Sequence, residues 1–185
     1  MNGSRAAGAA DRQRRLDELG QDLVRVAYLR GDFVLSSGKR SSYYFDKYLF
    51  ETRPDILRRL ASFLAELIPP RTDRIAGTEL GAVALATALS LETGLPFVVV
   101  RKGTKEYSTE RLIEGELVPR DRVVLVEDIV TSGAQAIRAA RGLGQAGAEV
   151  LRIVAVVDRE EGGAEAIAAA GYSLSTLFSR TTLGL

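Results

Sequence analysis

The chain has 185 residues, enough for one domain with a sizeable core and short for two. Hydrophobic residues at 46% and charged residues at 26% are ordinary for a globular protein, and 25 basic against 24 acidic residues leave a net charge of +1, so total charge gives no nucleic-acid footprint. Having neither cysteine nor histidine, the chain has no disulfides, zinc–thiolate sites or histidine-based triads, and no run approaches the ~18 apolar residues of a membrane helix.

Carboxylates, lysines and backbone must therefore carry any acid–base or ligand chemistry, and a cytoplasmic location is expected. Residues 1–15, MNGSRAAGAADRQRR, lack the apolar core of a secretory signal and read as a disordered tail before a single domain over 16–185. Leu16, Leu19, Leu23 and Ala27 recur at helical spacing, with Val26 and Tyr28 widening the stripe. That spacing predicts an amphipathic helix from Leu16 to Leu29, ended by Gly31. Residues 31–50 read as a hairpin beside the main sheet, two β-rich pieces around a Ser-Ser-Gly-Lys turn. Consecutive aromatics in it, Tyr43, Tyr44 and Phe45, point to alternate faces, so one at least can face a pocket.

Thr52 and Asp55 flank Pro54 at a helix start, Ile56, Leu60, Phe63 or Leu64, and Leu67 supply its buried face up to Ile68, and Pro69-Pro70 stops it. Residues 74–77 read as a short strand. GTELGAVALATALSLETG carries a turn into a small-residue helix closed by Gly94. The turn is a candidate anion site, a weak signal taken alone. Phe97 to Val100 is the next strand.

Val123 to Val126 suits a parallel strand covered on both faces, and Glu127 and Asp128 stand at its carboxyl end, the edge where ligands bind in open α/β sheets. Thr131, Ser132 and Gly133 form a small-residue turn into a helix over Ala134–Leu143, whose N-terminus favours a phosphate. Two acids beside a phosphate cradle suit a sugar phosphate, with the carboxylates accepting from ribose hydroxyls. The plainer reading is a solvated acidic turn with the helix capped by Thr131 or Ser132.

The preceding stretch, residues 101–121, is polar and longer than the ~12–15 residues usual for a loop without its own function. Arg101, Lys102 and Lys105 are either a solvated charge run or, beside such a cradle, pyrophosphate ligands on a mobile lid. Val150 to Val157 forms a further strand ending in Asp158-Arg159, followed by Gly162-Gly163, an Ala-rich helix to Ala170 and a last strand near Tyr172 to Phe178. Strands alternating with helices imply a mainly parallel sheet with helices on both faces.

The order strand, Glu-Asp, Thr-Ser-Gly, helix is similar to the signature by which type I phosphoribosyltransferases bind phosphoribosyl pyrophosphate (PRPP). Over nearly all of residues 25–180 the chain resembles the orotate phosphoribosyltransferase family: GDFVLSSGKRSSYYFD its amino-terminal element, VVVRKGTKEYSTERLIEG its catalytic loop, VVDREEGG its closing strand. The resemblance implies the type I phosphoribosyltransferase fold, a mainly parallel central sheet with flanking helices and a small amino-terminal hood. It implies transfer of the 5-phosphoribosyl group from PRPP to orotate with inversion in pyrimidine (UMP) biosynthesis, dependence on Mg²⁺ held mainly through PRPP and water, and a homodimer. No nucleic acid or membrane partner is implied.

On the same basis Glu127 and Asp128 hold the ribose hydroxyls, and Ile129 and Val130 lead into Thr131, Ser132, Gly133, Ala134 and Gln135 around the 5′-phosphate. Thr131 and Arg159 contact orotate, Arg159 through its carboxylate, with Tyr44 and Phe45 packed near the base. Lys102 grips pyrophosphate within its own subunit, while Arg101, Lys105 and Tyr107 reach into the partner's site; Thr78 and Glu79 are the polar side chains of the pyrophosphate loop. Lys105, Arg101, Asp128 and Glu127 form the implied catalytic set. Departures are Tyr107 where many members have histidine, Ser36 and Gly81 where lysines occur, and STER in place of a Gly-rich lid. The competing readings are a phosphoribosyltransferase for another nucleobase, which leaves Arg159 without a carboxylate, and a non-catalytic regulator that senses PRPP.

Overall fold

Leu19, Leu23 and Ala27 are fully buried along one face of helix α1 (Asn2–Ala27) in the computed structural model. It describes residues 2–34, 38, 40–103 and 112–185, with only the backbone of residues 2–6 and 41. The chain divides into two compact units, Met1–Arg59 and Leu60–Leu185. Helix α1 begins at Asn2 rather than Leu16, so it takes in the stretch expected to be a disordered tail. Ala, Arg and Gln are good helix formers, and the exposed face adds pairs one turn apart, Arg14 lying 2.7 Å from both Asp11 and Glu18. The helix also stops early, at Ala27, because Tyr28 opens strand β1 (Tyr28–Val34) and its ring stacks 5.2 Å from that of Tyr43. Gly31 therefore lies inside a strand instead of ending a helix.

Strand β1 pairs antiparallel with β2 (Arg40–Phe45) as a two-stranded sheet of its own, the hairpin expected from the sequence. Asp32 and Arg40 form an ion pair across it. A short helix α2 (Tyr48–Glu51) follows, and α3 (Pro54–Ala65) starts with proline and Asp55 in its first turn, where a missing N–H and a negative charge are both tolerated. Asp22 of α1 is held at 2.6 Å by Arg59 of α3.

In the second unit, β3 (Arg74–Thr78), α4 (Gly81–Thr93), β4 (Phe97–Val100), β5 (Ile113–Glu114), β6 (Arg122–Val130), α5 (Ala134–Gln145), β7 (Glu149–Asp158), α6 (Gly163–Ala169), β8 (Leu174–Ser179) and α7 (Arg180–Leu183) follow in order. The sheet order is β5-β4-β3-β6-β7-β8, and every neighbouring pair is parallel except β4 with β5. β6 is central, with Val123, Val124, Leu125 and Val126 fully buried as its unbroken apolar run requires. Ala136, Ala140 and Leu143 of α5 and Ile167 of α6 pack against Val123, Leu125, Ile153 and Ala155 on one face.

Two expectations shift here. β6 does not end at Val126: Ile129 and Val130 pair with Val157 and Asp158, so Glu127 and Asp128 sit inside the strand and are buried. The polar stretch before it contains β5, whose Ile113 and Glu114 pair with Val100 and Val99 at the sheet edge. At the opposite end of β3 and β6, Asp73 pairs with Arg122 and Arg74 with Asp121, each at 2.7 Å. No helix among the described residues is long and apolar enough to cross a membrane.

Candidate active site

The carboxyl ends of β3, β4, β6 and β7 gather most of the described residues picked out by the sequence. Glu127 and Asp128 are only 2% and 3% exposed, and a buried carboxylate is costly unless hydrogen bonds replace its water. The Thr78 hydroxyl donates to Glu127 Oε2 at 2.8 Å, and Gln135 Nε2 donates to Thr78 Oγ1 at 3.2 Å. Asp128 Oδ1 accepts the Ile129 N–H at 2.5 Å.

From Thr131 the backbone turns through Gly133, whose φ of 74° belongs to the left-handed region, into α5. N–H groups in the first turn of a helix lack intrahelical acceptors, so those of Ala134 and Gln135 offer themselves with the positive end of the helix dipole to an anion. This loop is pressed against the start of α6. A Cβ on Gly163 would meet Thr131 O at 2.3 Å, and one on Gly133 would meet Gly163 O at 2.9 Å.

That contact brings the end of β7 beside the loop. The Arg159 N–H donates to Val130 O at 2.9 Å, and its guanidinium lies 2.8 Å from Glu161 with 18% of the side chain exposed. Glu160 Oε2 accepts from the N–H and hydroxyl of Thr181 at 3.0 and 2.6 Å, bonds that hold its carboxyl below the usual range and latch the Asp158–Glu161 turn to α7.

On the β4 side, the Glu79 N–H donates to Val100 O at 2.9 Å, and Glu79 Oε1 accepts the Lys102 N–H at 2.6 Å. Arg101 Nε stands 3.6 Å from Glu79 Oε2, and the Arg101 N–H donates to Leu112 O at 2.9 Å. A pocket partly open to solvent is lined by Thr78, Val100, Arg101, Lys102, Leu112, Gln135, Arg138 and Ala139. Arg138 is a pocket residue the sequence reading missed, although its i, i+3 spacing from Gln135 puts both on one face of α5. The Thr78–Glu127 contact was missed too, because its partners lie 49 residues apart.

Other expected residues belong to other parts of the chain. Tyr44 and Phe45 belong to the first unit, where Tyr44 is 41% exposed with its ring 5.7 Å from that of Phe33, and Phe45 is buried 6.0 Å from Phe50. Lys105, Tyr107, the STER segment of residues 108–111 and Ser36 fall outside the described residues. Gly81, read as a departure in the pyrophosphate loop, is the first residue of α4 and is buried. Among the described residues no group of three or more acidic side chains gathers in a way that could hold a metal. Glu127 and Asp128 offer carboxylate oxygens, the donor type that a hard cation takes beside water and phosphate oxygens.

Residues 50–171 match the phosphoribosyl transferase domain family. An orotate phosphoribosyltransferase of Methanocella arvoryzae is 47% identical over 153 residues, 83% of this chain and 87% of that one. One from Pyrococcus furiosus is 50% identical over 150 residues, 80% of this chain and 82% of its own. Among solved structures, Mycobacterium tuberculosis orotate phosphoribosyltransferase in complex with PRPP superposes with a TM-score of 0.80 at 33% identity, covering 92% of this chain and 99% of that one. Adenine phosphoribosyltransferase of Trypanosoma brucei, at 17% identity and a TM-score of 0.69, shares the fold.

Proposed function

This chain belongs to the orotate phosphoribosyltransferase family, and we propose on that premise how its own residues transfer the 5-phosphoribosyl group from PRPP to orotate, giving orotidine 5′-phosphate and pyrophosphate on the route to UMP. The observation that carries the reading is the buried Glu127–Asp128 pair beside the N-terminus of α5. Acidic side chains next to an anion cradle fit a ligand that offers both hydroxyls and a phosphate, as a ribose 5-phosphate does.

Thr131 to Gln135 take the 5′-phosphate through backbone N–H groups and hydroxyls, while Glu127 and Asp128 accept from the ribose hydroxyls. Arg159 presents its fork to the orotate carboxylate, and Thr131 meets the base beside it. A neutral base would leave that guanidinium without its match. Tyr44 and Phe45 are assigned to the base by resemblance.

As orotate N1 bonds to ribose C1, the C1–O bond breaks and its electron pair leaves with pyrophosphate. Positive charge builds on the ribose ring and negative charge on the departing diphosphate. Arg101, Lys102 and Lys105 answer the second of these, and preorganised cations there lower the barrier most in a water-poor site. Mg²⁺, when bound with the diphosphate, supplies further positive charge, with Glu127 and Asp128 the carboxylates suited to its water shell. N1 of orotate is acidic enough to attack without a histidine base, consistent with a chain that has none. Arg101, Lys105 and Tyr107 serve the neighbouring subunit of a cytoplasmic homodimer, the arrangement the family resemblance supports.

The test is the ultraviolet absorbance of orotate with PRPP and Mg²⁺, run beside uracil, hypoxanthine and adenine. Loss of orotate absorbance that stops on chelation is the expected result. Turnover of a different base would refute the assignment of Arg159, and PRPP binding without turnover of any base would make the chain a sensor.

A further inference from the structure

We infer that Thr78 is a positioning residue: it sets the Glu127 carboxylate for the ribose and locks Gln135 to it, rather than gripping pyrophosphate as its place in the β3–α4 turn suggests. The inference rests on the reading of Glu127 as a ribose ligand. Thr78 is 2% exposed, at the last position of β3. A hydroxyl has one proton to give. With Glu127 Oε2 2.8 Å away, the hydroxyl gives that proton to the carboxyl oxygen, and the lone pairs face the Gln135 amide at 3.2 Å.

The order of donors is thereby fixed: amide to hydroxyl, hydroxyl to carboxylate. Each bond polarises the next in the same direction in a site of low dielectric. The chain of bonds joins three segments, the last residue of β3, Glu127 within β6 and the first turn of α5. Pyrophosphate turn, ribose acid and phosphate helix are held in one relation. Gln135 in turn has its amide directed inward, which leaves the backbone N–H groups of its turn, not its side chain, for the 5′-phosphate.

A direct pyrophosphate contact and a positioning role predict different ligands to suffer. Orotidine 5′-phosphate contains the ribose and no diphosphate; inorganic pyrophosphate is the converse. Isothermal titration of the full chain with each, in Mg²⁺, separates them. Thr78→Val keeps the side-chain shape and removes the hydroxyl. It should weaken orotidine 5′-phosphate about ten- to a hundredfold, the range of a hydrogen bond to a charged group, and leave pyrophosphate affinity unmoved. Thr78→Ser should recover most of the loss, which guards against a folding defect in the valine variant. In a Glu127→Gln background the valine substitution should add less than about twofold, since two residues acting as one unit are not additive.

Weakened pyrophosphate with unchanged orotidine 5′-phosphate would overturn the inference, as would equal binding by Thr78→Val and the native chain, or full additivity with Glu127→Gln. In each of those cases the phosphoribosyltransferase reading stands. A native chain that binds neither ligand would overturn that reading, and the inference with it.

Discussion

A methyl group on Gly163 would lie 2.3 Å from the carbonyl oxygen of Thr131 and 2.5 Å from Val130 Cγ1. Both are too close for any contact to persist, and the first partner is backbone, so α6 and the Thr131–Gly133 turn must separate to admit a side chain. Overpacking of this kind costs ~1–3 kcal/mol. The functional cost follows from position: the turn that yields is the one proposed to cradle the 5′-phosphate. Gly163→Ala should raise KM for PRPP on the order of ten- to a hundredfold, as misplacement of a binding group by a fraction of an ångström does. Steady-state kinetics with a melting curve would check it; native KM in the folded variant would show that this contact does not locate the cradle.

On the proposed reading, the choice of base turns on Arg159. Its guanidinium, 18% exposed and 2.8 Å from Glu161, can present two parallel N–H groups to a carboxylate, where a lysine presents one compact charge. Arg159→Lys should therefore lower kcat/KM for orotate by roughly ten- to a hundredfold, the difference between a bidentate and a single charge-assisted bond, with KM for PRPP little changed. Equal losses for both substrates would show that Arg159 supports the turn rather than reading the base.

Local signals carried the second unit well. The apolar run of β6, the small-residue turn at Thr131–Gly133 and the closing Gly94 of α4 each act over a few residues, and the structure has them where periodicity and turn chemistry put them. Readings that depended on distant partners were less legible. The polar segment after β4 hides β5 because Ile113 gains its strand only by pairing with Val100 at the sheet edge. Likewise Tyr28 continues an apolar helical stripe in sequence, yet its ring has a partner in Tyr43 and the backbone follows the hairpin. In the site, Glu127 and Asp128 were legible as a pair, whereas the hydroxyl that holds Glu127 comes from a strand 49 residues earlier. Arg138 went unremarked in the sequence, since a single charge on a helix carries no sign of the pocket it lines.

Asp73 gives stability a dependence on acid. Hydrogen bonds from the Arg122 side chain and backbone bring its carboxyl from the ordinary 3.8 to about 2. The folded value is depressed, so the stabilisation is fully present above the unfolded value and is lost as pH falls through about 2. Asp73→Asn should melt below the native chain at neutral pH, and the gap in Tm should close between pH 3.8 and about 2. The pair is partly exposed, 37% for Asp73 and 34% for Arg122, so salt should narrow the gap as well. A gap that stays constant through this range would show that the carboxylate's charge contributes nothing. Because Arg122 stands at the end of β6 opposite Glu127, kcat should not move.

On the proposed reading, Lys105 bears on the chemical step. The diphosphate leaves with an electron pair from C1, and Arg101 and Lys102 at the end of β4 provide only part of the countercharge; Arg101 stands 3.6 Å from each of two carboxylates, Glu79 and Glu114, which offset its charge. A further cation from the loop is needed most when the C1–O bond is breaking, and less when PRPP is merely bound. Lys105→Ala should accordingly lower kcat by ~10²–10³ while KM for PRPP changes far less, the pattern of losing one transition-state donor. If the dimer shares its loops, mixing this variant with Asp128→Asn chains should restore part of the activity, since each mixed dimer then holds one intact site. Near-native kcat in Lys105→Ala alone would remove the residue from the catalytic set, and a failure of the mixture to recover activity would place the loop in its own subunit's site.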